Sequence, residues 1–71
     1  MENWTQEKFD SLKVGDKIRL FYNENNINNK LMHVRGFVDG LVVVRTYIKR
    51  KQRWYYSIVS YYELNEFYTI E

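Results

Sequence analysis

Residues Leu31 to Ile48 read LMHVRGFVDGLVVVRTYI, two β-rich runs about the hairpin signal Asp39-Gly40. If Asp39-Gly40 is a two-residue loop, Val38 faces Leu41, Val34 shares a face with Arg45, Arg35 joins Val44, and both faces of the hairpin are mixed. If Phe37 to Gly40 instead form a type I turn with Gly40 as a left-handed bulge residue, Phe37 pairs with Leu41, Arg35 with Val43, His33 with Arg45 and Leu31 with Tyr47. The faces then separate. Met32, Val34, Gly36, Val42, Val44, Thr46 and Ile48 form one buried side, as a single-core sheet requires. The sequence therefore predicts the second arrangement.

The same test extends to the next hairpin. With Lys49 to Arg53 as a five-residue loop, Ile48 pairs with Trp54, Thr46 with Tyr56 and Val44 with Ile58, all facing inward; a four-residue loop would pair Ile48 with Arg53. Upstream, the alternating run Lys17 to Tyr22 is the first strand, launched by a turn over Lys13-Val14-Gly15-Asp16 in which Gly15 takes a positive φ. Residues 5–12 read as a short helix with Thr5 as N-cap and Trp4, Phe9 and Leu12 near one face. The stretch Asn23 to Asn29 holds five Asn and no periodicity, and reads as a mobile loop. Ser60-Tyr61-Tyr62-Glu63-Leu64 resembles a capping box opening one helical turn, and Phe67 to Ile70 is a last short strand.

Composition sets the limits. A chain of 71 residues buries only about 60% of its unfolded surface and accommodates one domain, here residues 1–71. With no cysteine there is neither a disulfide framework nor a thiolate metal site, so the core must come from packing, and aromatics at 18% of the chain supply it. No apolar run approaches the roughly 20 residues needed to span a bilayer, and Met1-Glu2-Asn3-Trp4 lacks a signal pattern, so a cytoplasmic protein without a membrane partner is expected. A net charge of +2 is too small to argue for nucleic acid by itself, and the distribution of charge must decide. The absence of Ala and the abundance of Asn, Lys, Ile, Tyr and Phe match the bias of an A+T-rich genome.

Removing the buried set leaves an outer face on the first four strands: Arg19, Phe21, Leu31, His33, Arg35, Phe37, Leu41, Val43, Arg45, Tyr47, Tyr55 and Ser57. It is aromatic and basic, without an acid. Beside it stands Lys49-Arg50-Lys51-Gln52-Arg53, four cations in five residues at a hairpin tip. Rings that stack on bases and cations that hold phosphates make a platform for single-stranded nucleic acid. A basic tip is also a common solvated, aggregation-resistant turn. The apolar part of the face is harder to explain that way, because monomers avoid large exposed apolar patches unless a barrel curls over them, a homodimer covers them or a partner uses them.

Catalysis finds little support. His33 is the only histidine and has no second His, Cys or carboxylate cluster beside it in sequence, so neither a metal site nor a general base is expected, and no cofactor. Asp16 and Asp39 sit in Gly turns, where aspartate bonds the local backbone. Gly15, Gly36 and Gly40 are too scattered for a phosphate loop.

The pattern Phe9-Asp10-Ser11-Leu12-Lys13-Val14-Gly15-Asp16-Lys17-Ile18-Arg19-Leu20, continued by the hairpins, resembles the opening of small SH3-like barrels over most of the chain. That resemblance implies an all-β, five-stranded SH3-like barrel with a short N-terminal helix and a helical turn before the last strand. The signalling SH3 type is disfavoured by the missing Ala-Leu-Tyr-Asp-Tyr hallmark. Ribosomal and transcriptional KOW-type barrels share the Val-Gly-Asp opening, a similarity that implies RNA contacts. The chain also resembles short Asn- and Tyr-rich proteins of phages and mobile elements in low-G+C bacteria, which implies an anti-defence inhibitor of anti-CRISPR or anti-restriction type. Two functions stand side by side. One is nucleic-acid binding, with Lys49, Arg50, Lys51 and Arg53 on phosphates, Arg35, Phe37, Tyr47 and Tyr55 as the platform, and Arg19 and Arg45 as further binding residues. The other is inhibition of a bacterial protein or nucleoprotein complex through the same face.

Overall fold

A computed structural model describes residues 2–70, with the side chains of residues 25–27 outside the description. The architecture is all-β in its main layer: one antiparallel sheet of six strands with two short helices. In chain order these are β1 (Glu2–Asn3), α1 (Gln6–Asp10), β2 (Lys17–Tyr22), β3 (Asn25–Val38), β4 (Leu41–Ile48), β5 (Arg53–Val59), α2 (Tyr61–Phe67) and β6 (Tyr68–Ile70). The sheet order is β1-β6-β2-β3-β4-β5, and the two ends do not meet. Strand β1, which pairs Glu2 with Ile70 and Asn3 with Thr69, is a sixth strand that the sequence did not disclose.

The core lies on one side of the sheet. Leu20, Met32, Val34, Val42, Val44 and Val59 from the strands meet Trp4, Phe9 and Leu12 from the N-terminal segment and Leu64 from α2. These are the positions at which alternation along strands and helical spacing converge on one face. Thr5 caps α1, its Oγ1 accepting from Lys8 N at 3.1 Å, and α1 ends at Asp10, two residues short of the expected helix. Ser60 Oγ likewise accepts from Glu63 N at 3.2 Å, and α2 runs for seven residues, longer than the single turn expected. Gly15 has φ of 99°, as its turn requires.

Three expectations are corrected. Asn23 to Asn29 is not a free loop: the turn occupies Asn23 and Glu24, and β3 begins at Asn25. Pairing overrides the poor strand propensity of Asn. Phe21 lies opposite Asn29 and Tyr22 opposite Asn25 across a register shift, and Asn23 ties the turn to α2, its N–H donating to Phe67 O at 2.9 Å and its Nδ2 to Glu66 O at 2.8 Å.

The β3–β4 turn is the two-residue form. Asp39 and Gly40 have φ of 49° and 76°, the paired positive values of a type I′ turn, whose twist matches that of the strands it joins. Val38 therefore faces Leu41 and Phe37 faces Val42. The extra residue needed to sort the faces is present but displaced: the register shifts between Val34 and Gly36, which makes Arg35 the bulged residue. Beyond it Val34 faces Val44 and His33 faces Arg45, as the sequence required.

The β4–β5 loop has four residues, Lys49 to Gln52, not five. Ile48 faces Arg53, Tyr47 faces Trp54, Arg45 faces Tyr56 and Val43 faces Ile58. An Arg opposite Ile48 is tolerated because β5 is an edge strand and Arg53 is exposed. Gln52, at φ of 51°, supplies the left-handed residue that closes the loop. The consequence is a reversal of β5: Trp54, Tyr56 and Ile58 turn outward, and Tyr55 and Ser57 turn to the core side.

Candidate nucleic-acid interface

The outer face is built by registers that place unlike residues side by side. Lys17 faces His33 and Arg19 faces Leu31 across β2–β3, His33 faces Arg45 across β3–β4, and Arg45 faces Tyr56 across β4–β5. These pairs make a diagonal band of cations and rings over four strands. Among the described residues, no Asp or Glu occupies this face of β2 to β5. Without an acid to offset them, the cations present an attractive field to an anion.

Trp54 is the centre of the band. The Arg45 guanidinium lies 4.0 Å from its ring centroid, His33 meets it edge-on at 5.1 Å and Tyr47 edge-on at 5.2 Å. Arg45 Nη1 also donates a long hydrogen bond to Tyr56 Oη at 3.4 Å, while Arg45 Nε is shielded from solvent without a partner. A planar cation on an indole is held by the ring quadrupole, at about 0.5–1 kcal/mol at an exposed site. Trp54 nonetheless remains 39% exposed and Tyr56 61% exposed. Rings fixed in orientation but open to solvent can take a base without first paying to order a side chain.

His33 is half-buried in this cluster. Desolvation holds its pKa below the ordinary value of 6.5, and the positive charges of Lys17, Arg45 and Arg35 push it further in the same direction. The ring is therefore neutral at pH 7. Its edge packs against the Trp54 ring on the outer face.

A cleft of about 420 Å³ opens beside the band where β3 leaves β4. Pairing between these strands ends at His33 and Arg45, while β3 continues along β2 to Asn25 and β4 continues along β5 to Ile48. The divergence leaves a gap walled by Leu31, His33 and Tyr47, with Arg19, Lys30 and Lys49 around it. Arg19 Nη1 donates to Asn29 Oδ1 at 2.6 Å, which fixes the guanidinium toward the gap's β2 wall. The volume falls in the range of small-ligand sites, roughly 300–1,000 Å³.

The residues singled out from sequence are only partly gathered. Arg19, Arg45 and Tyr47 share the outer face, with Lys49 at its end beside the cleft. Arg35 is exposed at the bulge, next to His33 by charge but off the pairing ladder. Phe37, opposite the buried Val42, is on the core-facing side near the hairpin end, 51% exposed. Arg50 and Lys51 are exposed at the tip, and Arg53 begins β5 on the core-facing side. Tyr55 also leaves the expected platform; Lys51 Nζ sits 5.6 Å from its ring on that other side. Trp54 and Tyr56, which sequence reasoning put in the core, take its place. The available signal was the four-residue loop, which alone sets Trp54 across from Tyr47.

Among the described residues no helix is long and apolar enough to cross a membrane, and no three His, Cys, Asp or Glu side chains gather as a metal site. No protein-family model, curated protein or solved structure matches this chain.

Proposed function

We propose that this chain is an SH3-like module that binds single-stranded nucleic acid on the outer face of its sheet, without catalysis. The observation that carries the reading is the Arg45–Trp54 stack, set in an acid-free face between Tyr47, Tyr56 and His33. Bases stack on Trp54 and Tyr56, and phosphates run along Lys17, Arg19 and Lys49, with the cleft receiving one of them. The SH3-like part of the reading is supported by the strand path: a meander β2-β3-β4-β5, then a helical segment, then a short strand returning beside β2. The long β3, paired with β2 up to His33 and with β4 from His33 onward, is also in keeping with that path.

The two tryptophans make the test direct. Trp4 is 3% exposed in the core and Trp54 is 39% exposed at the site, so titration with a single-stranded oligonucleotide should quench the solvent-exposed part of the emission. Absence of quenching and of binding at low salt, for both RNA and DNA single strands, would reject the proposal.

A second reading rests on the make-up of the same cluster. Trp, Tyr and Arg are the residues that dominate protein-binding hot spots, and Arg45, Tyr47, Trp54 and Tyr56 adjoin one another. Under it the chain is a phage-type anti-defence inhibitor that clamps a bacterial protein or nucleoprotein. A stoichiometric complex that survives nuclease treatment and dissociates on Trp54→Ala would favour it over the first.

A further inference from the structure

The two edges of the sheet are unequal. One is β1, only two residues long; the other is β5, seven residues from Arg53 to Val59, with no strand on its far side among the described residues. Every second residue of an edge strand directs its N–H and C=O away from the sheet, where they can pair with another chain. Proteins blunt such edges with Pro, bulges, or charges along the strand. Strand β5 has none of these: its pairing with β4 is regular from Arg53 to Val59, and its single charged residue is Arg53 at one end.

We infer that β5 pairs antiparallel with β5 of a second copy of this chain, about a two-fold axis at Tyr56. Three properties of the strand choose that occupant and register. Tyr56 is its middle residue, so an axis there pairs all seven positions. Trp54, Tyr56 and Ile58, which are 39%, 61% and 55% exposed, then lie opposite Ile58, Tyr56 and Trp54 of the second copy, covering apolar surface that each monomer leaves to water. The antiparallel sense also puts the two Arg53 residues at opposite ends of the seam, roughly 20 Å apart at about 3.4 Å per residue, whereas parallel pairing would set them side by side. The strand is its own complement. Because the axis stands perpendicular to the sheet, both outer faces point the same way, and the two Arg45–Trp54 stacks lie on one continuous surface.

The inference is independent of any nucleic acid, and its test contains none. The chain has no cysteine, so single-cysteine variants report on one position each. Tyr56→Cys sits on the axis opposite itself, whereas Ser57→Cys lies opposite Tyr55 of the second copy and on the other face. Under mild oxidation Tyr56→Cys should form disulfide dimers at least about tenfold faster than Ser57→Cys, because directly opposed Cβ atoms are about 4.5–5.5 Å apart. Both sites are exposed, so random collision would cross-link them at similar rates. Sedimentation equilibrium of the unsubstituted chain should show a monomer–dimer equilibrium at tens to hundreds of micromolar. Equal cross-linking of the two variants, or a single monomeric species over that range, would overturn the inference.

Discussion

Arg45 and Trp54 are brought together by a register. Tyr47 is the residue opposite Trp54, and Arg45 sits two positions along β4, so its guanidinium crosses diagonally to lie 4.0 Å from the indole centroid. A four-residue loop creates that diagonal, and a five-residue loop would have put Trp54 in the core. Replacement of Trp54 should therefore cost function more than stability. Trp54→Ala is expected to weaken single-stranded RNA or DNA binding by about 1–3 kcal/mol, the range for one base-stacking ring. Its cost to folding should stay well below that of a core truncation, since the side chain is partly exposed on an edge strand. Fluorescence anisotropy and a thermal melt on the same preparations separate the two. Arg45→Lys keeps the charge but loses the planar stack, and should fall between wild type and Trp54→Ala.

His33 links the face to pH. Its folded pKa is held below 6.5 by desolvation and by Lys17, Arg45 and Arg35, so the unfolded chain binds its proton more readily than the folded one. The stability this represents is complete above 6.5 and is lost as pH falls from there through the folded value. A phosphate bound beside His33 offsets the same positive charges and raises that pKa. Binding should then take up protons, and affinity should rise as pH falls from about 7.5 to about 5.5 by more than it does in His33→Gln. Equal pH profiles for the two proteins would separate His33 from the binding site.

The hairpin turn can be tested without any ligand. At φ of 49° for Asp39 and 76° for Gly40, both positions lie in the left-handed region. A Cβ at Gly40 would meet no atom within 4 Å, so Gly40→Ala should cost only the backbone term of about 1–2 kcal/mol. For a domain of this size that is a fall in Tm of about 4–8 °C per kcal/mol. Asp39→Val should be at least as costly, and Asp39→Asn nearly neutral. Tolerance of Asp39→Val would point to the other turn, in which residue 39 has negative φ.

These turns mark where the sequence was readable and where it was not. Alternation located β2 at Lys17–Tyr22 and β4 at Leu41–Ile48, and the buried set Met32, Val34, Val42 and Val44, because each of those residues reports its own burial preference. Registers are different, since they depend on where one extra residue is stored. The need for one extra residue in this hairpin was legible, but its place at Arg35 within β3 rather than at Gly40 in the turn follows from the twist match of the type I′ turn, which outweighs local neatness of the faces. In β5 the rule that aromatics face inward failed because an edge strand has little core to offer. Arg45 and His33 instead give Trp54 a packed position outside. The outer face was thus legible in Arg19, His33, Arg45 and Tyr47, and mis-assigned in β3 beyond the bulge, where Phe37 turns to the core-facing side, and in β5, where a slip of one residue exchanged Tyr55 for Trp54 and Tyr56.

The core itself should behave as a thin one. Leu20 is fully buried between β3 and β6, opposite Lys30 and Ile70, and Leu20→Ala is expected to cost about 2–5 kcal/mol. In a 71-residue chain without disulfides that is enough to leave a large unfolded fraction at 37 °C. Ile58→Ala, on the outer face and 55% exposed, should stay within about 0.5 kcal/mol of the unsubstituted protein under dilute conditions. Urea titrations of both variants at low micromolar concentration check the pair.

The basic tip separates solvation from function. Lys49, Arg50 and Lys51 are exposed in the β4–β5 loop, and Lys49 alone of the three also borders the cleft. If the tip holds phosphates, the double substitution Lys49→Glu with Arg50→Glu should weaken binding by a similar factor for all sequences. It should also flatten the plot of log affinity against log salt by about 0.7 for each phosphate no longer neutralised. Trp54→Ala should lower affinity with little change in that slope, because stacking releases no counterions. The two variants therefore read different parts of one interface: the first charge, the second rings. An unchanged slope in the double variant would make the tip a solvated turn and move the phosphate-binding role to Lys17, Arg19 and Arg45, where single substitutions would be measured next.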